Sequence, residues 1–201
     1  MKKLDAPKTI CVTGNIGTGK SYVCNIFRNL GFPIYNTDIE AKNIVIADQE
    51  VKKSIIELLG EEAYLENGEY NRAYVASKIF TDDILLKKLN KIIHPAVAKH
   101  YIHWMRKQTS PWVIKESALI FEAKLQKGCD KILLVTAPLQ TRIERLKIRD
   151  NISVDQIKKK ISKQISDHEK IGAVDFVIEN DGIQDVQTQV NTFINQCLSS
   201  K

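Results

Sequence analysis

At 201 residues the chain can build one good core with room for an inserted subdomain, and is too short for two independent domains. Hydrophobic residues make up 43% and charged residues 27%, as in an ordinary soluble globular protein. The net charge of +6 raises a nucleic-acid partner, but the lysines lie in amphipathic runs such as LLKKLNKII and QIKKKISKQIS without interleaved aromatics, so nucleic acid is excluded and a polyphosphate ligand competes for the same charge.

The start, MKKLDAPKTICVTG, is basic, but Asp5, Pro7 and Lys8 break its apolar run. It predicts neither a signal peptide nor a membrane span, and no membrane partner. The next run, TICVT (Thr9–Thr13), reads as a buried strand, and SYVCNIFRNLG as a helix closing at Gly31. FPIYNTD gives a second short strand. WVIKES (Trp112–Ser117), KILLVTA (Lys131–Ala137) and DFVIEN (Asp175–Asn180) supply three more. Strands separated by helical patterns imply parallel β-α-β units, hence an α/β fold with a five-stranded parallel sheet flanked by helices.

Between Ala41 and Gln108 the strand signals stop. ILLKKLNKIIHPAVAKHYIHWM is helical in period, and Pro95 is expected to bend or interrupt it. A second helical stretch, about Ser153 to Lys170, is unusually polar. Its small share of core makes it a candidate mobile lid. The expected organisation is one domain: a core of about 1–40, 109–150 and 171–201, a helical substrate-binding insertion of about 41–108, and a lid of about 151–170. Four cysteines (Cys11, Cys24, Cys129, Cys197) are far apart and make no C-x-x-C pair. That argues against a disulfide framework or a zinc site and fits a cytoplasmic protein. His100 and His103 share a helix face, but no Cys or acidic residue stands at a ligand spacing, so a metal there is not expected.

The chemistry is concentrated at TGNIGTGKSY, which places three glycines in six residues before a lysine and a serine. Gly14 to Ser21 fits G-x-x-x-x-G-K-[ST], between a β-branched strand and an amphipathic helix. Gly14, Gly17 and Gly19 let amides turn inward as an anion nest, and the following helix adds its positive end. Lys20 suits the β- and γ-phosphates, and the Ser21 hydroxyl suits magnesium. The ATP-binding set is thus Gly14, Asn15, Ile16, Gly17, Thr18, Gly19, Lys20 and Ser21. N-K-x-D and D-x-x-G, which a GTPase would show, are missing. Glu116, at the end of the third strand, is placed to hold magnesium through bound water. Small size, a helical insertion and an arginine-bearing lid favour a small-molecule kinase. A nucleoside monophosphate kinase and a non-catalytic ATP-binding module stay open at this point.

The ordered set of motifs closely resembles the dephospho-coenzyme A kinase family, from Ile10 to about Gly182. The family's T-G-G-I-G-S-G-K-S appears as TGNIGTGKS (Thr13–Ser21), and its D-A-D-x-x-A as NTDIEA (Asn36–Ala41). G-x-[LY]-x-R is similar to GEYNR (Gly68–Arg72), and L-H-P to IHP (Ile93–Pro95). D-x-P-L-L-F-E resembles ESALIFE (Glu116–Glu122), R-x-x-x-R-D is RLKIRD (Arg145–Asp150), and A-D-x-V-I-x-N-x-G is AVDFVIENDG (Ala173–Gly182) with one extra residue. Three departures stand out: Asn15 where the family commonly has glycine, Asn36 for the first aspartate of D-A-D, and Ser117-Ala118 for an apolar-proline pair.

The resemblance implies transfer of the ATP γ-phosphoryl group to the ribose 3′-hydroxyl of dephospho-CoA, with Mg2+ and no obligate protein partner. It assigns catalytic roles to Asp38, Lys20 and Arg145, and nucleotide contacts to Arg145 and Arg149, which share a helix face. It places Thr13, Asp38, Arg72, His94 and Glu122 around the acceptor. Each has a plainer reading. Asp38 either orients the attacking hydroxyl or assists magnesium, or else caps a helix starting at Ile39. Arg145 and Arg149 either bind nucleotide or pair with Glu144 or Asp150. Arg72 and Glu122 either line the site or form structural ion pairs, and His94 either meets substrate or packs at the Pro95 bend.

Overall fold

A computed structural model describes residues 6–80 and 82–198. The reading of residues 1–5 as neither leader nor span lies outside the described residues, as do the last three positions of the expected core. Among the described residues no helix is long and apolar enough to cross a membrane. The chain forms two compact units, one made of the residues up to Tyr35 and from Gln108 onward, the other of Asn36–Lys107.

The first unit is built on five strands, β1 (Lys8–Thr13), β2 (Ile34–Asn36), β3 (Trp112–Glu116), β4 (Lys131–Thr136) and β5 (Phe176–Glu179), in the order β2-β3-β1-β4-β5. β1 pairs in parallel with β3 (Val12 opposite Glu116) and with β4 (Val12 opposite Leu133), and β4 with β5. Being central, β1 is apolar on both faces, and Ile10, Cys11 and Val12 are all fully buried. Successive side chains point to opposite faces. Ile10 and Val12 join Ile114, Leu133 and Ile178 against Val23 and Phe27 of helix α1 (Lys20–Asn29) and Val190 and Phe193 of α9 (Val186–Phe193). Cys11 faces the other way, with Ile120 and Ile132.

Cys11 is disulfide-bonded to Cys129, which overturns the expectation of unpaired cysteines. The two lie 118 residues apart, yet their Cα atoms are separated by 5.6 Å. The turn before β4 runs beside β1, with the Asp130 amide donating to the Thr9 carbonyl at 2.9 Å and the Thr9 amide to Asp130 Oδ2 at 2.7 Å. Spacing rules register local pairs only. This pair is created by the sheet. Cys24 (buried) and Cys197 are free.

After β4 comes α6 (Leu139–Asp150), and the polar stretch from about Ser153 to Lys170 forms α7 (Val154–Ile161) and α8 (Asp167–Ile171), with a break between them. Capping boxes from Ser153 and Ser166 start α7 and α8, each satisfying two helix-end amides reciprocally. Most of this stretch is exposed, as expected, but it is pinned by a small core. Ile157 is fully buried and packs with Ile143 and Leu146 of α6, flanked by Ile16, Ile152 and Ile161. One well-placed isoleucine per two turns anchors a short helix that looks polar by composition.

The second unit consists of α2 (Thr37–Ala47), α3 (Gln49–Leu59), α4 (Arg72–Ile79) and α5 (Asp83–Met105) around Ile44, Val45, Val51, Ile55, Val75 and Leu89. Side chains of Asn36, Asp48, Asn71 and Asp82 cap the four helices. Pro95 does not interrupt α5, which runs through it. Ile92, Ile93, Ala96 and Val97 on either side pack on the unit's core, and that burial offsets the lost backbone hydrogen bond. An isolated antiparallel bridge between Tyr64 and Tyr70 is the one extended pairing described in this unit.

Candidate active site

The loop from Gly14 to Gly19 joins the end of β1 to the start of α1. Gly19 is the N-cap of α1, at φ 92°, and brings no side chain to the helix end, whose first turn also lacks acidic residues. A Cβ on Gly19 would collide with the Asn180 amide, and one on Gly14 with the Val135 carbonyl. Two constraints, left-handed backbone and close approach, thus require glycine at these positions. The result is a bare helix N-terminus that suits an anion.

Within the loop, the Lys20 ammonium donates to the carbonyls of Gly14 (2.9 Å) and Asn15 (3.3 Å), and Thr18 Oγ1 donates to the Asn15 carbonyl at 2.9 Å. The Ser21 hydroxyl donates to Glu116 Oε1 at 2.7 Å, and Glu116 is buried at the end of β3. The Cys24 thiol, one helical turn on, also bonds Glu116. Its pKa is raised well above the usual thiol range, first by burial and then by the Glu116 charge. Ser21 and Glu116 form a hard oxygen pair fitted to magnesium in company with nucleotide phosphates. Among the described residues no three His, Cys, Asp or Glu side chains cluster as an all-protein metal cage.

Side chains from distant parts of the first unit close on this loop. Arg145 Nη2 donates to the carbonyl (3.0 Å) and Oδ1 (3.2 Å) of Asn180, and its Nη1 reaches the carbonyls of Thr18 (3.4 Å) and Gly17 (3.5 Å). Asn180 in turn donates to the Thr18 carbonyl at 2.9 Å. Arg142, 6% exposed, donates through Nε to the Ile16 carbonyl and faces Asp167 at 3.9 Å. Burial lowers the Arg142 pKa against the pull of Asp167, and burial raises that of Asp167 against the charges of Arg142, Lys170 and Lys20. Lys170, fully buried, bonds Asn15 Oδ1 (2.6 Å) and Glu122 Oε1 (3.2 Å). Among the described residues, four buried side-chain atoms lack a hydrogen-bond partner: Thr13 Oγ1, Glu122 Oε2, Arg142 Nη2 and Asp167 Oδ1. All four belong to residues that flank or close on the loop.

The structure therefore gathers Thr13 to Ser21, Arg145 and Glu122 in one unit. Arg149 is different. It makes a bidentate pair with Asp150 at 2.7 and 3.1 Å on an exposed face, which is the plainer of its two readings. Asp38, Arg72 and His94 belong to the second unit, exposed on α2, α4 and α5. The cap reading of Asp38 is overturned. Asn36 caps α2, accepting from the amides of Asp38 and Ile39 at 3.1 and 3.0 Å, so Asp38 stands in the first turn. A groove of about 770 Å³ in this unit, between α2 and α5, is lined by Glu40, Ile44, Ala47, Ala96, His100 and Arg106 among others, and none of Asp38, Arg72 and His94 lines it. Glu40 lies 3.9 Å from His100, the acidic partner that linear spacing concealed.

Sequence reading omitted Asn180, Arg142, Gln164, Asp167 and Lys170 from the site. Asn180 lies within AVDFVIENDG and was legible. Gln164, whose Oε1 accepts from the Ile16 amide at 2.8 Å, Asp167 and Lys170 sit in or beside the polar stretch read as a lid, Arg142 lies in α6, and nothing local marks any of them as part of the site.

A parallel sheet carrying a glycine cradle and a lysine after its central strand, with the loop serine paired to a carboxylate at the end of the neighbouring strand, defines a phosphate-loop protein. Residues 8–185 match the dephospho-CoA kinase family. The dephospho-CoA kinase of Bacteroides fragilis (strain YCH46) is 37% identical over 182 residues, covering 90% of this chain and 88% of that one. That of Listeria monocytogenes (serotype 4b, strain F2365) is 36% identical over 199 residues, covering 96% and 99%. The crystal structure of TT1252 from Thermus thermophilus superimposes with a TM-score of 0.87 at 27% identity, covering 98% of this chain and 100% of that one. The chain belongs to the dephospho-CoA kinase family.

Proposed function

We propose that the protein transfers the γ-phosphoryl group of ATP to the ribose 3′-hydroxyl of dephospho-CoA, releasing CoA and ADP. The observation that carries this reading is the glycine cradle at the bare N-terminus of α1, with Lys20 folded over it, in a chain of this family. The bond between Pγ and the β,γ-bridging oxygen breaks, and a bond from the 3′-oxygen to Pγ forms. The hydroxyl proton leaves toward Asp38 or water.

Phosphoryl transfer passes through a loose transition state with charge on the peripheral oxygens, so positioning and cations do most of the catalysis. Lys20, resting on two loop carbonyls without a carboxylate in those contacts, exchanges them for phosphate oxygens when nucleotide enters. Arg145, anchored by Asn180, keeps its guanidinium beside the loop. Ser21 would hold Mg2+, with Glu116 acting through water, and the ion supplies charge neutralisation for the phosphates. Asp38, relieved of capping by Asn36, accepts a hydrogen bond from the acceptor hydroxyl and orients it. Thr13, Arg72 and His94 contact the acceptor. Glu122 would meet it through Oε2, the oxygen that has no other partner while Oε1 accepts from Lys170.

Incubation with magnesium ATP and dephospho-CoA, read by mass detection, is expected to give CoA. ADP formation with another hydroxyl acceptor and none with dephospho-CoA would reassign the substrate. Nucleotide binding without any product would make it a binding module.

A further inference from the structure

Burying an ammonium is costly unless it is paired and hydrogen-bonded, and the Lys170 side chain is entirely buried. Its Nζ donates to Asn15 Oδ1 at 2.6 Å and Glu122 Oε1 at 3.2 Å, and lies 6.0 Å from the centre of the Phe121 ring. Lys170 is held in place by two acceptors and an aromatic face, each from a different part of the surroundings than its own short helix.

What Lys170 holds is informative. Asn15 is nearly fully buried and is the hub of the loop. Its carbonyl accepts from the Thr18 hydroxyl and from the Lys20 ammonium, and its Nδ2 donates to the Ile165 carbonyl at 3.1 Å. The next amide, of Ile16, donates to Gln164 Oε1 at 2.8 Å. The side chain of Asn15 thus ties the loop to Ile165 and Lys170, and glycine at this position would have none to offer. A charged donor on an amide oxygen is stronger than a neutral one and fixes the amide's orientation.

We propose that Lys170 is a positioning residue of the phosphate loop, acting through the Asn15 side chain to fix the segment whose carbonyl carries Lys20. This rests on the reading that Gly14–Ser21 binds nucleotide, and not on which alcohol is the acceptor. Without Lys170 the Asn15 amide loses its anchor, Glu122 loses its counter-ion, and the loop samples arrangements that no longer converge on a phosphate. Nucleotide affinity should fall.

The test compares the full-length wild type with Lys170→Met, with Lys158→Met as a control that removes an exposed lysine from α7. The dissociation constant of magnesium ADP is measured by calorimetry, KM for ATP and for dephospho-CoA by steady-state kinetics, and the melting midpoint alongside. For Lys170→Met the expected result is about tenfold weaker ADP binding and about tenfold higher KM for ATP, the loss of one charged hydrogen bond. Lys158→Met should match the wild type. A lowered melting midpoint with ADP affinity within about twofold would show that Lys170 only supports the fold, and would overturn the proposal. Should Lys170→Met not fold, Asn15→Ala decides: about threefold or weaker ADP binding supports the proposal, and unchanged binding overturns it. A wild type that binds ADP but makes no CoA would remove the acceptor assignment and leave this comparison intact. A wild type that binds no ADP would end both.

Discussion

Lys20 and Asp38 divide the proposed chemistry between donor and acceptor, and substitution should separate their roles. In Lys20→Ala the remaining loop amides still face phosphate, but the mobile cation is gone. About 2–4 kcal/mol of transition-state stabilisation should be lost, a fall of roughly 30- to 1,000-fold in kcat, by the measure of removing one preorganised donor. Steady-state rates check this, and an unchanged kcat would end the phosphate-loop mechanism. Asp38→Asn keeps the size of the side chain and the Asn36 cap, so α2 should form as before. ATP affinity should be retained while kcat drops by at least about 10²-fold, the usual scale of general-base assistance. Near-normal turnover would return Asp38 to the role of a first-turn acid. Its freedom was not legible from sequence. NTDIEA offers three polar side chains that can cap, Asn36, Thr37 and Asp38, and only the hydrogen bonds show that Asn36 takes the work.

Elements with strong periodicity were read within a residue or two, and those that depend on distant partners were misread. All five strands stand where β-branched runs placed them. The α7–α8 stretch looked like a solvated surface because its burial comes from single residues, Ile157 and Lys170, each enclosed by parts of the chain remote in sequence. α5 survives Pro95 because the packing of neighbouring residues outweighs a local penalty. The Cys11–Cys129 bond is a tertiary feature of the same kind. It closes a loop of 118 residues, and cross-linking a loop near this size stabilises by about 4–5 kcal/mol in the chain-entropy account. Urea unfolding with and without a thiol reductant should show the reduced protein less stable by up to that amount. Cys11→Ser should lose the reductant dependence. Equal midpoints in both conditions would show that the bond contributes nothing.

For the molecule as a whole, the buried charges beside the phosphate loop should appear in the dependence of stability on pH. Burial raises the Asp167 pKa above its unfolded value, so the folded state holds this proton more tightly. Its contribution is therefore fully present below the ordinary carboxylate pKa and is lost as pH rises through the raised value. Wild-type stability measured against Asp167→Asn by urea unfolding should decline from pH 4 to pH 7. A difference that grows over this range would mean that the Arg142 charge outweighs burial. The linear chain by itself determined the strand-alternating architecture, the phosphate loop and the family, because each is written in local periodicity, in glycine spacing or in an ordered series of short motifs. Tertiary structure alone decided which charges are buried around that loop, that Asn15 and Lys170 meet, and that two distant cysteines bond. The physical reason is that burial and pairing depend on what the rest of the chain brings alongside a residue, and neighbours along the sequence carry no record of it.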